Sequence, residues 1–229
     1  MPVLPELAQD RVVIAADTPG YGMSDAPPAP VAIEDFAEEM AALMTYLAGI
    51  GEIAGGAFDV MGYHTGSVTT TELARRFPDR VRKAVVFGLA AYPADLRAQK
   101  LARLGEVFPV PDATLHHVEK LWAIMRTLID ERMSAEDLHV AMAQCLSLGH
   151  RMTWGYESVY KYDFLRAMAE VRQPVLVMNP QDDLWDVTHA TSHLFPHGQR
   201  HDMPGVSHGI LKLETLRVVR VVDAFLRDS

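Results

Sequence analysis

Cysteine is nearly missing from this chain: Cys145 is the only one. A lone thiol excludes an intrachain disulfide framework and any zinc site built on paired cysteines. An excess of basic residues is missing too. Thirty Asp and Glu stand against 21 Lys and Arg, for a net charge of −9. That balance disfavours nucleic acid and anionic membrane surfaces as partners, because both reward Lys and Arg. No apolar run nears the ~20 residues that a membrane-spanning helix needs. The start, Met1-Pro2-Val3-Leu4-Pro5-Glu6-Leu7, has no basic residue ahead of an apolar stretch and does not read as a secretory signal, so the expected location is the cytoplasm. No nucleotide or cofactor fingerprint is present, and no cofactor is expected. What remains is a 229-residue chain, 49% hydrophobic, long enough to bury its own core. The expected partner is a small-molecule substrate; composition leaves the oligomeric state open.

Two sequence periods alternate. Short apolar runs at Arg11–Asp17, Phe58–Gly62, Arg82–Gly88, Pro174–Asn179 and Arg200–Met203 read as strands. Helical spacing joins Ile33, Phe36, Met40, Leu43 and Leu47, follows the second strand as far as Phe77-Pro78, and returns from about Leu211 to Leu226. Strands separated by helices predict a mostly parallel sheet with helices on both faces. The stretch 91–171 carries no strand signal and reads as four helices, about Ala94–Phe108, Ala113–Met133, Ala135–His150 and Glu157–Ala169. The expected organisation is an α/β core from 1–90 and 172–229 with a helical cap inserted at 91–171.

The segment richest in chemistry is Asp59-Val60-Met61-Gly62-Tyr63-His64-Thr65-Gly66-Ser67. A strand that turns at once into a helix through Gly-x-x-x-Gly is the frame of a nucleophile elbow. Both glycines are expected where a side chain would clash with the strand or the helix. The turn lifts its central residue over a helix N-terminus, which favours developing negative charge.

With that motif the chain resembles the α/β-hydrolase superfamily over nearly its whole length. Asp17-Thr18-Pro19-Gly20-Tyr21-Gly22-Met23-Ser24 is similar to the family's turn after a core strand. Leu73-Ala74-Arg75-Arg76-Phe77-Pro78 is similar to the stretch after its elbow. Pro180-Gln181-Asp182-Asp183 stands where the family carries its acid, and Pro204-Gly205-Val206-Ser207-His208 resembles its catalytic-histidine loop. The resemblance implies a site of His64, Asp183 and His208, with Asp183 orienting His208 and the Thr65 backbone N–H as an oxyanion donor.

Two departures shape the functional reading. His64 occupies the elbow position where the family has Ser, Cys or Asp, so conventional acyl-serine chemistry is excluded there. An imidazole can attack an acyl carbon, act as a second base or donate to substrate. Thr65 and Ser67 leave the helix start in other directions. The second departure is that only ten residues precede Arg11. The resembled fold places further strands there, one of them bearing a second oxyanion donor, so the chain is expected to lack its first strands and that donor.

The leading expectation is hydrolysis of a small apolar ester, lactone or ketone-type substrate. Its rivals are a catalytically inactive ligand-binding or interaction protein, and a cofactor-independent lyase, isomerase or oxygenase using the His208–Asp183 base. Tyr63, Trp122, Met125 and Trp154 are candidate pocket residues. Asp182 also reads as a turn or helix-capping residue, and Asp95 as an alternative acid. No metal is expected. Pro196 and Gly198 break the His189, His193, His197, His201 stripe, and a triad acid stands behind its histidine instead of converging with the other ligands.

Overall fold

Alternation along the two central strands sets the architecture. Val81–Phe87 sends Ala84 and Val86 to one apolar cluster and Val85 and Phe87 to another; Val175–Pro180 divides Val175 and Val177 from Leu176 and Met178 in the same way. Strands buried on both faces are the mark of a parallel sheet covered by helices on both sides. The computed structural model describes residues 2–228. In chain order the elements are α1 (Val3–Leu7), α2 (Ile33–Gly49), β1 (Phe58–Tyr63), α3 (Thr65–Arg76), β2 (Val81–Phe87), α4 (Ala94–Ala102), α5 (Leu104–Val107), α6 (His116–Leu128), α7 (Ala135–Ser147), α8 (Trp154–Lys161), α9 (Phe164–Glu170), β3 (Val175–Pro180), α10 (Trp185–Thr191), β4 (Gly198–Met203), α11 (Ile210–Leu213) and α12 (Thr215–Arg227). Among the described residues the sheet has four strands in the order β1-β2-β3-β4, every pair parallel. This is the α/β fold expected.

One face is covered by α2, α3, α8 and α9, which bury Ile33, Phe36, Val68, Leu73, Val159, Phe164 and Met168 with the strands. The other is covered by α12, whose Val218, Val222 and Phe225 recur at helical spacing, and by α1. Val3 and Leu7 of α1 are buried in that second cluster, so the residues ahead of Arg11 are docked on the core.

The sequence expectation fails at Arg11–Asp17, which forms no strand. Val12 is 69% exposed and Ile14 38%. The physical reason is the lack of a partner: β1 pairs only with β2, and no described strand lies between β1 and this segment to supply hydrogen bonds. Within 91–171 the helices are shorter than expected. Arg103 divides α4 from α5, Leu115 sits at φ 63° ahead of α6, and Tyr162 and Asp163 divide α8 from α9. Helices α8 and α9 pack in the same cluster as β1 to β3.

Candidate active site

The elbow forms at the junction of β1 and α3. His64 has φ 51° and ψ −107°, outside the comfortable region for a side-chain-bearing residue; such a conformation costs ~1–3 kcal/mol and persists only where the surroundings enforce it. The enforcing glycine is Gly62. A Cβ there would lie 2.1 Å from the Gly66 carbonyl oxygen, so strand and helix backbones touch. Gly66 differs from expectation: a Cβ on it would meet nothing within 4 Å, because its contribution is the carbonyl that faces Gly62. Gly88, with φ +65°, closes the arrangement from the end of β2, where a Cβ would stand 2.9 Å from His64 Cδ2.

His64 is therefore crowded at its backbone and at its ring, and its side chain stays 23% exposed. Its Nε2–H donates to Asp182 Oδ2 at 2.9 Å. The Asp182 side chain is fully buried; it also accepts from the Leu184 N–H at 2.9 Å and, more distantly, from the Tyr63 hydroxyl at 3.4 Å. The Leu184 contact is the turn role read for Asp182 from sequence; the His64 contact is additional. Tyr63 stacks on His64 with ring centroids 4.2 Å apart and planes 8° from parallel. Burial, and then the Asp182 charge, push its phenol far above the ordinary range. Tyr63 is thus a platform under the elbow.

A second pair stands beside the first. His208 Nε2–H donates to Asp183 Oδ1 at 2.7 Å, and the His64 and His208 rings meet edge to face with centroids 5.0 Å apart. Burial works to raise the Asp183 carboxyl, but the hydrogen bond from His208 and the charges of His208 and His64 outweigh it and hold the group below its ordinary value. One ligand-type atom from each of His64, Asp182, Asp183 and His208 falls within 4.8 Å of the other three. Asp95 is an exposed residue in the first turn of α4, and the carboxylate bonded to His208 is that of Asp183.

Sequence reading missed what holds His208. The insertion reaches across to its loop: Ile129 bridges to His208, the Asp130 N–H donates to the His208 carbonyl at 3.0 Å, and the Ser207 N–H donates to Asp130 Oδ2 at 2.9 Å. Arg132 grips both Asp130 and Glu214. Its hydrogen bonds, with those from the Ser207 and Arg132 backbone, hold the buried Asp130 carboxyl far below the ordinary carboxylate range against the opposing effect of burial. Lys212 pairs with Asp137, and Met133 packs against Gly209 where a Cβ would lie 2.7 Å from its sulfur. The contact between Ser207 and Asp130 spans 77 residues, and no local motif announces it.

Ser67 is no hidden nucleophile. It is fully buried, and its hydroxyl contacts the Gly62 and Phe87 carbonyls and accepts from the Phe87 N–H. Thr65 opens α3, so its N–H is one that the helix cannot satisfy itself. Trp122 lies half exposed on α6, Met125 packs against the cluster of Leu104, Phe108, Leu121 and Met142, and Trp154 meets His150 edge-on at 5.8 Å. Besides Tyr63, the aromatic groups that feel the site's carboxylates are Tyr92, Tyr156 and Tyr160: burial first, and then neighbouring charge that includes Asp183, raises all three phenols. His189 lies in α10 and His201 in β4, with His197 between them, so the histidine stripe shares no helix.

The parallel sheet, the strained elbow, and the acid and histidine following β3 and β4 define an α/β-hydrolase architecture. The chain belongs to that family: the model for the alpha/beta hydrolase fold matches residues 1–214. Solved structures agree on the fold. A thermophilic esterase from Thermogutta terrifontis superposes with a TM-score of 0.78 at 20% identity, over 99% of this chain and 83% of the esterase. A hydrolase from Pseudomonas aeruginosa gives 0.72 at 18%, over 93% and 78%. The enol-lactonase from Burkholderia xenovorans gives 0.68 at 19%, over 93% and 79%. No described helix is long and apolar enough to cross a membrane.

Proposed function

We propose that this protein hydrolyses a small, largely apolar ester or lactone by delivering water directly, without an acyl-enzyme and without an organic cofactor. The observation that carries the reading is the difference between the two His–Asp pairs. Both imidazoles turn Nε2 onto a carboxylate, but the partner of His64 is fully buried while that of His208 is 44% exposed, so the second pair is the one open to water. His208 has its Nε2–H on Asp183, which leaves Nδ1 with the lone pair. That nitrogen is the base. A water held by Nδ1 loses a proton to it as the oxygen adds to the acyl carbon; the oxyanion faces the Thr65 N–H, and its collapse expels an alkoxide that takes the proton back from His208. Asp183 stabilises the intermediate imidazolium.

The substrate class rests on a run of aromatic side chains within residues 91–171. Tyr92 and Tyr160, with centroids 6.4 Å apart, continue through Tyr156 to Phe108, which stacks on Tyr156 at 4.8 Å. Neutral aromatic faces suit an apolar acyl or alkoxy group. In this reading residues 91–171 form the roof, with Trp122, Met125 and Trp154 at its margin. The esterase and the enol-lactonase that share the fold are compatible with the same class. The test is steady-state turnover of p-nitrophenyl acetate and of short aliphatic lactones by the wild type and by His208→Ala. Turnover that disappears in the variant supports the proposal. A wild type inert toward the whole panel, yet binding those compounds, would make the protein a ligand-binding relative.

A further inference from the structure

We propose that His64, Asp182, Asp183 and His208 together form a site for one divalent transition-metal ion such as zinc. The inference goes beyond the hydrolase reading and does not depend on it.

Convergence is the first observation. All four ligand-type atoms lie within 4.8 Å of one another, with His64 to Asp182 at 2.9 Å and His208 to Asp183 at 2.7 Å. Nitrogen and oxygen ligands bonded to zinc at ~2.0–2.1 Å stand ~3.3 Å apart in a tetrahedral shell. To admit an ion the two bonded pairs open by about half an ångström, and any separation near the 4.8 Å limit closes by about 1.5 Å. A catalytic triad has a different shape, because its acid stands behind a single histidine. Here a second carboxylate and a second imidazole stand beside such a pair, so four donors lie at one place.

Charge is the second observation. Among the described residues neither Asp182 nor Asp183 has a Lys or Arg partner; their only potentially cationic partners are the two histidines. Two neutral imidazoles and two carboxylates give a ligand set of charge −2, which a divalent cation neutralises. Imidazole and carboxylate are the donor types that zinc and its neighbours accept.

Support and access are the third. Asp182 is fully buried and steadied by the Leu184 N–H and the Tyr63 hydroxyl, the outer-shell contacts that orient a ligating carboxylate. Asp183 is 44% exposed and His208 26%, so one side stays open to solvent for entry. Loading displaces both Nε2 protons, either to solvent or to Nδ1 by a change of tautomer, and affinity therefore falls in acid.

The test uses the full chain, stripped with a chelator and dialysed against cobalt(II) and then zinc(II), with metal content, visible absorption and circular dichroism read together and no substrate present. One equivalent of cobalt per chain, displaced by zinc, is expected. His64→Ala and His208→Ala should each lower affinity by at least the ~10–100-fold that losing an outer-shell partner costs, and His189→Ala should leave it unchanged. Asp182→Asn keeps the shape of its side chain and should also weaken binding, which guards against a histidine variant that fails to fold. No binding by the wild type, or equal binding by folded His64→Ala and His208→Ala, would overturn the site. Ester turnover by the chelator-stripped chain bears on the hydrolase reading alone, so the two can fail separately.

Discussion

The molecule contains two His–Asp pairs a ring's width apart, built in opposite ways. The His64–Asp182 pair belongs to the sheet. Its histidine is locked at positive φ by the Gly62–Gly66 contact and stacked on Tyr63, and its carboxylate has no exposed surface. The His208–Asp183 pair sits on loops, is partly exposed, and depends on Asp130 and Arg132 of the helical insertion. In the proposed reaction identical side chains have different uses: the rigid pair shapes the site, and the pair with the exposed carboxylate moves the proton. Burial and backbone, more than residue type, divide the labour.

That comparison breaks most sharply in kinetics. His208→Asn should lower kcat/KM for p-nitrophenyl acetate by roughly 10²–10⁴-fold, the usual contribution of a positioned base. His64→Asn should cost far less in kcat and appear chiefly as a lower melting temperature, because it leaves a buried carboxylate poorly partnered. A larger kinetic loss at His64 would reverse the assignment.

Elbow rigidity can be tested next through its two glycines. Gly62→Ala forces a Cβ to 2.1 Å from backbone and should cost at least about 3 kcal/mol by denaturant unfolding. Gly66→Ala meets open space in a helix and should be neutral or stabilising by up to ~1 kcal/mol. Equal costs would mean that the turn is held otherwise.

Support from the insertion should be worth less. Asp130→Asn weakens the charge-assisted bonds to Arg132 and the Ser207 N–H, at about 1.5–3 kcal/mol, and should lower kcat more than it raises KM as His208 loosens. Acid provides the gentlest probe. Asp130 and Asp183 both have folded-state values below the unfolded one, so their stabilising contribution is complete above about pH 4 and is lost as pH falls through the folded values. Melting temperature should fall below pH 4 in the wild type, and less steeply in Asp130→Asn.

The elbow and the order of acid and histidine were legible in sequence because each depends on a short local string: a glycine spacing, or an acid just after a strand. The partner of His64 was not, since Asp182 lies 118 residues away and doubles as a turn residue. The Asp130–Arg132 latch was illegible for the same reason. Arg11–Asp17 shows the opposite error, where a strand-like string forms no strand because pairing is a property of neighbours. Which imidazole nitrogen faces its carboxylate is likewise a property of packing.

Direct delivery of water, with no covalent intermediate on the elbow, is the central claim, and rapid-mixing hydrolysis of p-nitrophenyl acetate tests it most directly. At enzyme concentrations that make one turnover visible, p-nitrophenol should appear linearly from the first turnover, and the intact mass of the quenched protein should be unchanged. A burst of one equivalent per chain, with an acetyl group mapped to His64 or Ser67, would contradict it.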